Sequence, residues 1–207
     1  MNGLEYSGVT PINYGVLESM LGSYSSPRHK IAALEKSNKI IRLKKGLYVT
    51  APNVSGKILS TELIANHLYG PSYVSMETAL RFYGLIPENV HIVKSMTLKH
   101  SRNFKNAVAQ FQYICCSAEY YSIGINQEVH TDCTFLIASP EKALCDLISF
   151  TPQLRPRFVK SMKQFLEEDL RLDMDEFYNL NVEIFKACAQ VSKKRNEINN
   201  IIKLLER

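Results

Sequence analysis

The 207-residue chain has five cysteines and no C-x-x-C pair among them, and no apolar run of the roughly 18 residues that a membrane-spanning helix requires. Cys115 and Cys116 are adjacent, so on a strand they would point to opposite faces, a poor geometry for sharing one zinc ion. Cys133, Cys145 and Cys188 stand alone, and an odd count suits reduced thiols in a core better than a disulfide framework. The opening residues, Met1-Asn2-Gly3-Leu4-Glu5, lack the basic and apolar stretches of a secretory signal. The expectation is a cytoplasmic protein with no membrane partner.

Enzyme signatures are also missing. The chain has no Walker A loop, no G-x-G-x-x-G, no H-E-x-x-H and no G-x-S-x-G. A nucleotidyltransferase would need a Gly-Ser followed by paired aspartates, and none occurs. A metal-dependent nuclease could be sought at Asp132, Glu141 and Lys142. Glu141 and Lys142, however, are adjacent and follow a proline, which suits a helix start better than one strand face. The histidines (His29, His67, His91, His100 and His130) show no ligand spacing. Tyr69, Tyr73, Phe82 and Tyr83 could stack nucleobases, but aromatics at helical spacing are more often core. No catalysis, cofactor or metal is expected.

What is present is a local excess of positive charge. Hydrophobic residues at 45% and charged residues at 22% describe an ordinary globular chain, long enough for one large domain or two small ones. Residues 25–57 hold eight of the 25 Lys and Arg but one of the 20 Asp and Glu, a charge of +7. The remainder has 17 basic and 19 acidic residues, or −2. One short segment therefore holds the whole excess, the footprint of a polyanion-binding surface.

The same segment has a recognisable order of elements. Residues 13–22 carry Val16, Leu17, Met20 and Leu21 at helical spacing before Gly22. Ser26 reads as an N-cap with Pro27 at the first position of a second helix reaching about Ser37. Ile31 and Leu34 share its inward face, His29, Ala33 and Lys36 lie opposite with Ala32 beside them, and Arg28 and Lys30 occupy the flanks. Small alanines between basic residues let a helix approach base edges. Residues 39–50 read as a hairpin turning at Lys44-Lys45-Gly46, whose lysines would reach a phosphate backbone. Helix, turn, helix and basic-tipped hairpin is the order of a winged helix-turn-helix. A complete one has three helices, and residues 1–12, with Gly3, Gly8 and Pro11, are poorly helical.

After a linker at 51–60, helices are expected over 60–68 and 75–83, strands over 90–99, 108–116, 120–126 and 134–138, and helices over 139–150, 155–169, 174–189 and 192–206. The fold class is α+β. A winged helix-turn-helix-like domain (1–54) precedes a mixed α/β C-terminal domain (55–207), with its sheet at about 90–138 and a closing helical segment. In that tail Ile184, Cys188, Val191, Ile198, Ile202 and Leu205 follow a 4,3 spacing broken at Arg195. Lys193, Lys194 and Arg195 form a possible second basic patch.

Three strings, "IIRLKKGLYV" (40–49), "GPSYVSMETALRFYGLIPE" (70–88) and "ASPEKALCDLI" (138–148), together resemble the AbiEi family of antitoxins from type IV toxin–antitoxin, abortive-infection operons. The resemblance covers about residues 13–150. It implies a transcriptional regulator whose winged helix binds inverted repeats in operator DNA and can self-associate there, and a C-terminal domain that counters a functionally linked nucleotidyltransferase toxin. Carried over by position, the DNA-binding residues are Ser26, Arg28, His29, Lys30, Lys36, Lys39, Arg42, Lys44 and Lys45. Two other classes stay open: a module that restrains a toxin by direct contact, and an RNA-binding protein.

Overall fold

Polar caps and special backbone angles set where the N-terminal elements begin and end. In the computed structural model, which describes residues 8–87 and 91–206, the Asn13 side chain accepts the backbone N–H of Val16 and starts α1 (Tyr14–Met20). Pro27, whose missing N–H costs nothing at a first helical position, starts α2 (Pro27–Lys36). Asn38 adopts a left-handed φ of 52° and turns the chain into β2 (Ile40–Lys44). Gly46, at φ 80°, turns it back into β3 (Leu47–Thr50). A short β1 (Ile12–Asn13) pairs with β3, giving the strand order β1-β3-β2.

β3 is buried along its whole length because it is covered on both faces. Tyr48 packs into a small core with Ile12, Leu17, Leu21, Ile31, Leu34 and Ile40. Leu47 and Val49, which alternate with it, join Leu43 in the large core of the rest of the chain. The hairpin is thus shared between two cores.

The connection that was expected to be a linker contains one helical turn, α3 (Pro52–Ser55). Beyond it come α4 (Thr61–Leu68), β4 (Ser72–Val74), α5 (Met76–Phe82), β5 (Ile92–Thr97), β6 (Arg102–Lys105), β7 (Gln110–Cys115), α6 (Ala118–Tyr121), β8 (Ile125–Val129), β9 (Thr134–Ala138) and α7 (Pro140–Phe150). The tail is α8 (Val159–Gln164), a π-helical turn (Phe165–Asp169), α9 (Met174–Tyr178), α10 (Val182–Val191) and α11 (Arg195–Leu205). Six strands form one mixed sheet in the order β6-β7-β5-β4-β9-β8, with β5–β7 and β4–β9 parallel. The protein is of mixed α+β class. Among the described residues no helix is long and apolar enough to cross a membrane.

Several expected elements differ. The strand expected over 120–126 is the end of α6, a turn through Gly124 and the start of β8, because Tyr120 faces the core from a helical turn capped by the Ser117 carbonyl. The helix expected over 174–189 is two helices, since the Asn181 side chain accepts the Glu183 N–H and starts a new one. The helix expected from 155 begins at Val159, after Pro156. β1, β4 and β6, of two to four residues, are too short to carry a periodic signal. Residues 1–7 of the expected first domain, position 90 of an expected strand and position 207 lie outside the described residues.

At the centre of the larger domain, the Ser139 hydroxyl accepts the Lys142 N–H and Pro140 occupies the first position of α7. That phase turns Lys142 and Asp146 inward, both fully buried and 3.3 Å apart. Lys142 Nζ donates to the Tyr120 carbonyl at 2.7 Å and lies 3.2 Å from the Tyr120 ring centroid. Asp146 Oδ2 accepts the hydroxyls of Ser75 at 2.6 Å and Tyr73 at 3.1 Å. Burial pushes the Asp146 carboxyl up, against the opposing pull of Lys142 and the Ser75 hydroxyl. Asp146→Ala strands the lysine without a counter-charge and is expected to cost about 3–5 kcal/mol in urea unfolding. An apolar replacement of both partners (Lys142→Met with Asp146→Leu) should recover most of that loss.

Candidate nucleic-acid interface

The outward face of α2 is assembled by its two buried residues. Ile31 and Leu34 are held in the small core, which leaves Arg28, His29, Ala32, Ala33 and Lys36 exposed. Ser26 does not cap the helix with its side chain. Its hydroxyl lies 3.0 Å from His29 Nδ1 and fixes that ring at the first turn. Lys30 lies 4.6 Å over the Tyr24 ring and is half-buried. Lys39, at the entry to β2, accepts the Ala51 N–H with its carbonyl.

The Gly46 carbonyl accepts the Tyr14 N–H at 2.9 Å and holds the hairpin turn against the start of α1. Between α2 and the hairpin runs a groove of about 430 Å³, with Arg28, Arg42 and Lys45 on its walls and Tyr14, Ala32 and Tyr48 on its floor and sides. Arg42 is 3.7 Å from Glu35, the one acid of the segment, with both side chains substantially exposed. A pair of that kind contributes at most about 1 kcal/mol and yields readily to a competing phosphate.

Two expected site residues are placed differently. The hairpin tip is Lys45-Gly46 rather than Lys44-Lys45. Lys44 is the last residue of β2, and its Nζ donates to the Leu68 carbonyl at the end of α4, on the flank facing away from α2. Burial pushes the Lys44 ammonium pKa down, and the nearby Lys99 and Arg102 push it further. In the tail, Lys194 is not a free surface cation. Its Nζ donates to the carbonyls of Ile148 (2.8 Å), Thr151 (2.6 Å) and Leu154 (2.7 Å), closing the C-terminal end of α7. Of the proposed second patch, Lys193 and Arg195 remain exposed.

The flank on which Lys44 lies holds a basic cluster that the sequence reading did not identify. The Lys99 ammonium donates to the Gly70 carbonyl and lies 5.3 Å over the Tyr69 ring. The Arg102 guanidinium lies 5.0 Å over Phe104 and 5.9 Å over Tyr69. Among the described residues none of the three is ion-paired to a carboxylate. The run Lys99-His100-Ser101-Arg102 is visible in the sequence as charge. Its proximity to Lys44, more than 50 positions earlier, comes from the end of α4, where Lys44 bonds the Leu68 carbonyl and Lys99 and Arg102 gather at Gly70 and Tyr69.

The residues considered for nuclease chemistry do not converge. Asp132 is bonded to Lys57, Glu141 accepts the Asn181 N–H, and Lys142 is enclosed with Asp146. No group of three or more His, Cys, Asp or Glu able to hold a metal occurs among the described residues.

No family model matches the chain, and no curated protein sequence matches it. Among solved structures, the fold is similar to that of the RV2827C protein from Mycobacterium tuberculosis. The TM-score is 0.52 at 13% identity, over 99% of this chain and 78% of that one. At that identity the likeness is one of fold.

The position of Lys194 leads to a stability test. Lys194→Ala removes three charge-assisted hydrogen bonds and is expected to cost about 2–3 kcal/mol in chemical unfolding. The exposed neighbour substitution Lys193→Ala should change stability by no more than about 0.5 kcal/mol. Equal effects at the two positions would remove Lys194 from the closure of α7.

Proposed function

We propose that the chain is a non-catalytic regulator that binds duplex DNA through a winged helix-turn-helix-like N-terminal domain, with α2 in the major groove and the β2–β3 hairpin on the adjacent backbone. The observation that carries this reading is the exposed face of α2. Two alanines, Ala32 and Ala33, lie between Arg28, His29 and Lys36, and the hairpin lysine Lys45 stands beside them across a groove that Glu35, paired with Arg42, also lines. Small residues permit close approach, His29 and Lys36 can reach base-edge acceptors, and Arg28, Arg42 and Lys45 suit phosphates. Lys44, Lys99 and Arg102 on the other flank extend the positive surface past the hairpin.

The AbiEi resemblance supplies the biological setting of the proposal: an antitoxin of a type IV system that represses its own operon and counters a nucleotidyltransferase toxin. The matching strings fall on β2–β3, on β4–α5 and on the start of α7. They include Tyr73, Ser75, Lys142 and Asp146, the buried polar residues around which the larger domain is built.

Fluorescence anisotropy with duplexes from the chain's own upstream region tests the binding. Affinity is expected to fall steeply with salt, and Arg28→Ala and Lys45→Ala should each weaken binding to every duplex and lower the log–log salt slope by about one. Lys36→Ala should alter the sequence preference instead. Salt-independent binding, or a structured RNA competing better than any duplex, would overturn the DNA assignment. Co-expression with the adjacent gene product tests the antitoxin role: growth rescue is expected, and no rescue would contradict it.

A further inference from the structure

The two edges of the six-stranded sheet differ in chemistry. One edge is β6, which carries Arg102 and Lys105 on a four-residue strand. If β6 paired antiparallel with a copy of itself, Arg102 would face Lys105 of the copy, cation against cation. Charged residues of this kind are a common protection against edge-to-edge association. The other edge is β8, with the sequence Ile125-Asn126-Gln127-Glu128-Val129 and no lysine, arginine or proline.

The direction of the β8 backbone groups follows from two hydrogen bonds at its ends. The Gly124 carbonyl accepts the Ser139 N–H at 2.8 Å, and the His130 N–H donates to the Cys133 carbonyl at 2.9 Å. In an antiparallel ladder the inward groups alternate, so Gly124, Asn126, Glu128 and His130 turn their backbone toward β9. Ile125, Gln127 and Val129 turn theirs away, and these outward groups make no hydrogen bond among the described residues.

The surface around this edge is apolar for an exposed strand. Val129 is 71% exposed, and Leu136, across the ladder on the same face as Gln127, is 39% exposed. Ile58, 93% exposed, follows Lys57, whose ammonium is bonded to Asp132 in the β8–β9 turn. Phe82, stacked edgewise with His130 and Phe135, adds to the opposite face of the same hairpin.

We propose that β8 is a self-association edge, pairing antiparallel with β8 of a second copy about a two-fold axis at Gln127. This register places Gln127 opposite itself, Ile125 opposite Val129 and Asn126 opposite Glu128, so apolar meets apolar and no like charges face each other. Its central pair is a hydrogen-bonded one, which the outward direction of Gln127 requires, and Ile125 and Val129 complete the ladder on either side. The glutamate stays satisfied on its own chain, where it accepts the Tyr83 hydroxyl at 3.2 Å. The two sheets become one of twelve strands, and the two copies become related by the symmetry of an inverted repeat. The inference rests on the β8 edge alone and stands or falls apart from the DNA reading.

Sedimentation equilibrium of the full chain tests it, at concentrations up to about 100 μM, where micromolar association is nearly complete. A mass approaching twice 23.6 kDa is expected. Gln127→Lys puts two ammonium groups face to face across the axis and should raise the dimer Kd about tenfold or more. Thermal unfolding checks that this variant is folded. In a Cys115→Ser background, Gln127→Cys should cross-link to itself under copper-phenanthroline oxidation, because hydrogen-bonded antiparallel pairs have Cα atoms about 5.5 Å apart. Asn126→Cys should not. A monomer at every concentration, a dimer indifferent to Gln127→Lys, or cross-linking at 126 as efficient as at 127 would each overturn the proposal.

Discussion

Two opposite charges with no solvent exposure, Lys142 and Asp146, sit one turn apart on α7 at the middle of the larger domain. Removing each from water costs several kcal/mol, and their attraction offsets that cost only if further hydrogen bonds are supplied with good geometry. Tyr73 and Ser75, at and just after β4, and the carbonyl of Tyr120 in α6 supply them. The pair therefore fixes α7 against the sheet and fixes α6 against α7. Gly124, in the turn from α6 to β8, is held to the same arrangement: a Cβ there would come within 2.9 Å of Lys142 Cβ.

From that centre the constraints run outward to the basic surface. The Tyr113 hydroxyl on β7 donates to the Ala65 carbonyl and locates α4 on the sheet. The Lys44 ammonium donates to the last carbonyl of α4, and the Asn106 amide donates to the Leu43 carbonyl. Those two bonds, with Leu43, Leu47 and Val49 in the large core, attach the β2–β3 hairpin to the larger domain. The hairpin in turn holds the start of α1 through Gly46. The hairpin beside the α2 face is thus tied through α4 to the sheet, whose other side carries the buried ion pair.

Local chemistry was legible in the sequence wherever one residue decides the outcome. Pro27 after Ser26, Ser139-Pro140 and Gly46 located α2, α7 and the hairpin, and the spacing of Ile31 and Leu34 assigned the faces of α2. Side-chain destinations across the fold were not legible. Lys44 and Lys45 look equivalent in a string, yet the break in strand register between Arg42 and Lys44 sends Lys44 to Leu68, while Lys45, in the turn, stands beside α2. Lys194 reads as part of a cationic run, and only the fold places three unsatisfied carbonyls around it. β4 owes its existence to β5 and β9, distant in sequence, and β6, a four-residue strand paired with the nearby β7, is too short for a local pattern to announce it. The hub itself was read as an ordinary helix cap, since the burial of Lys142 depends on Tyr120 and Tyr73 closing over it.

We propose that the α2 face and the hairpin form the surface that meets nucleic acid, with cations on both sides of the hairpin ridge. Amide hydrogen exchange of the full chain, with and without its upstream duplex at low salt, tests this most directly. New protection is expected only at residues 26–48 and the adjoining 99–105 run, with α8 to α11 unchanged. Protection concentrated in the helical tail, or none at α2, would contradict it.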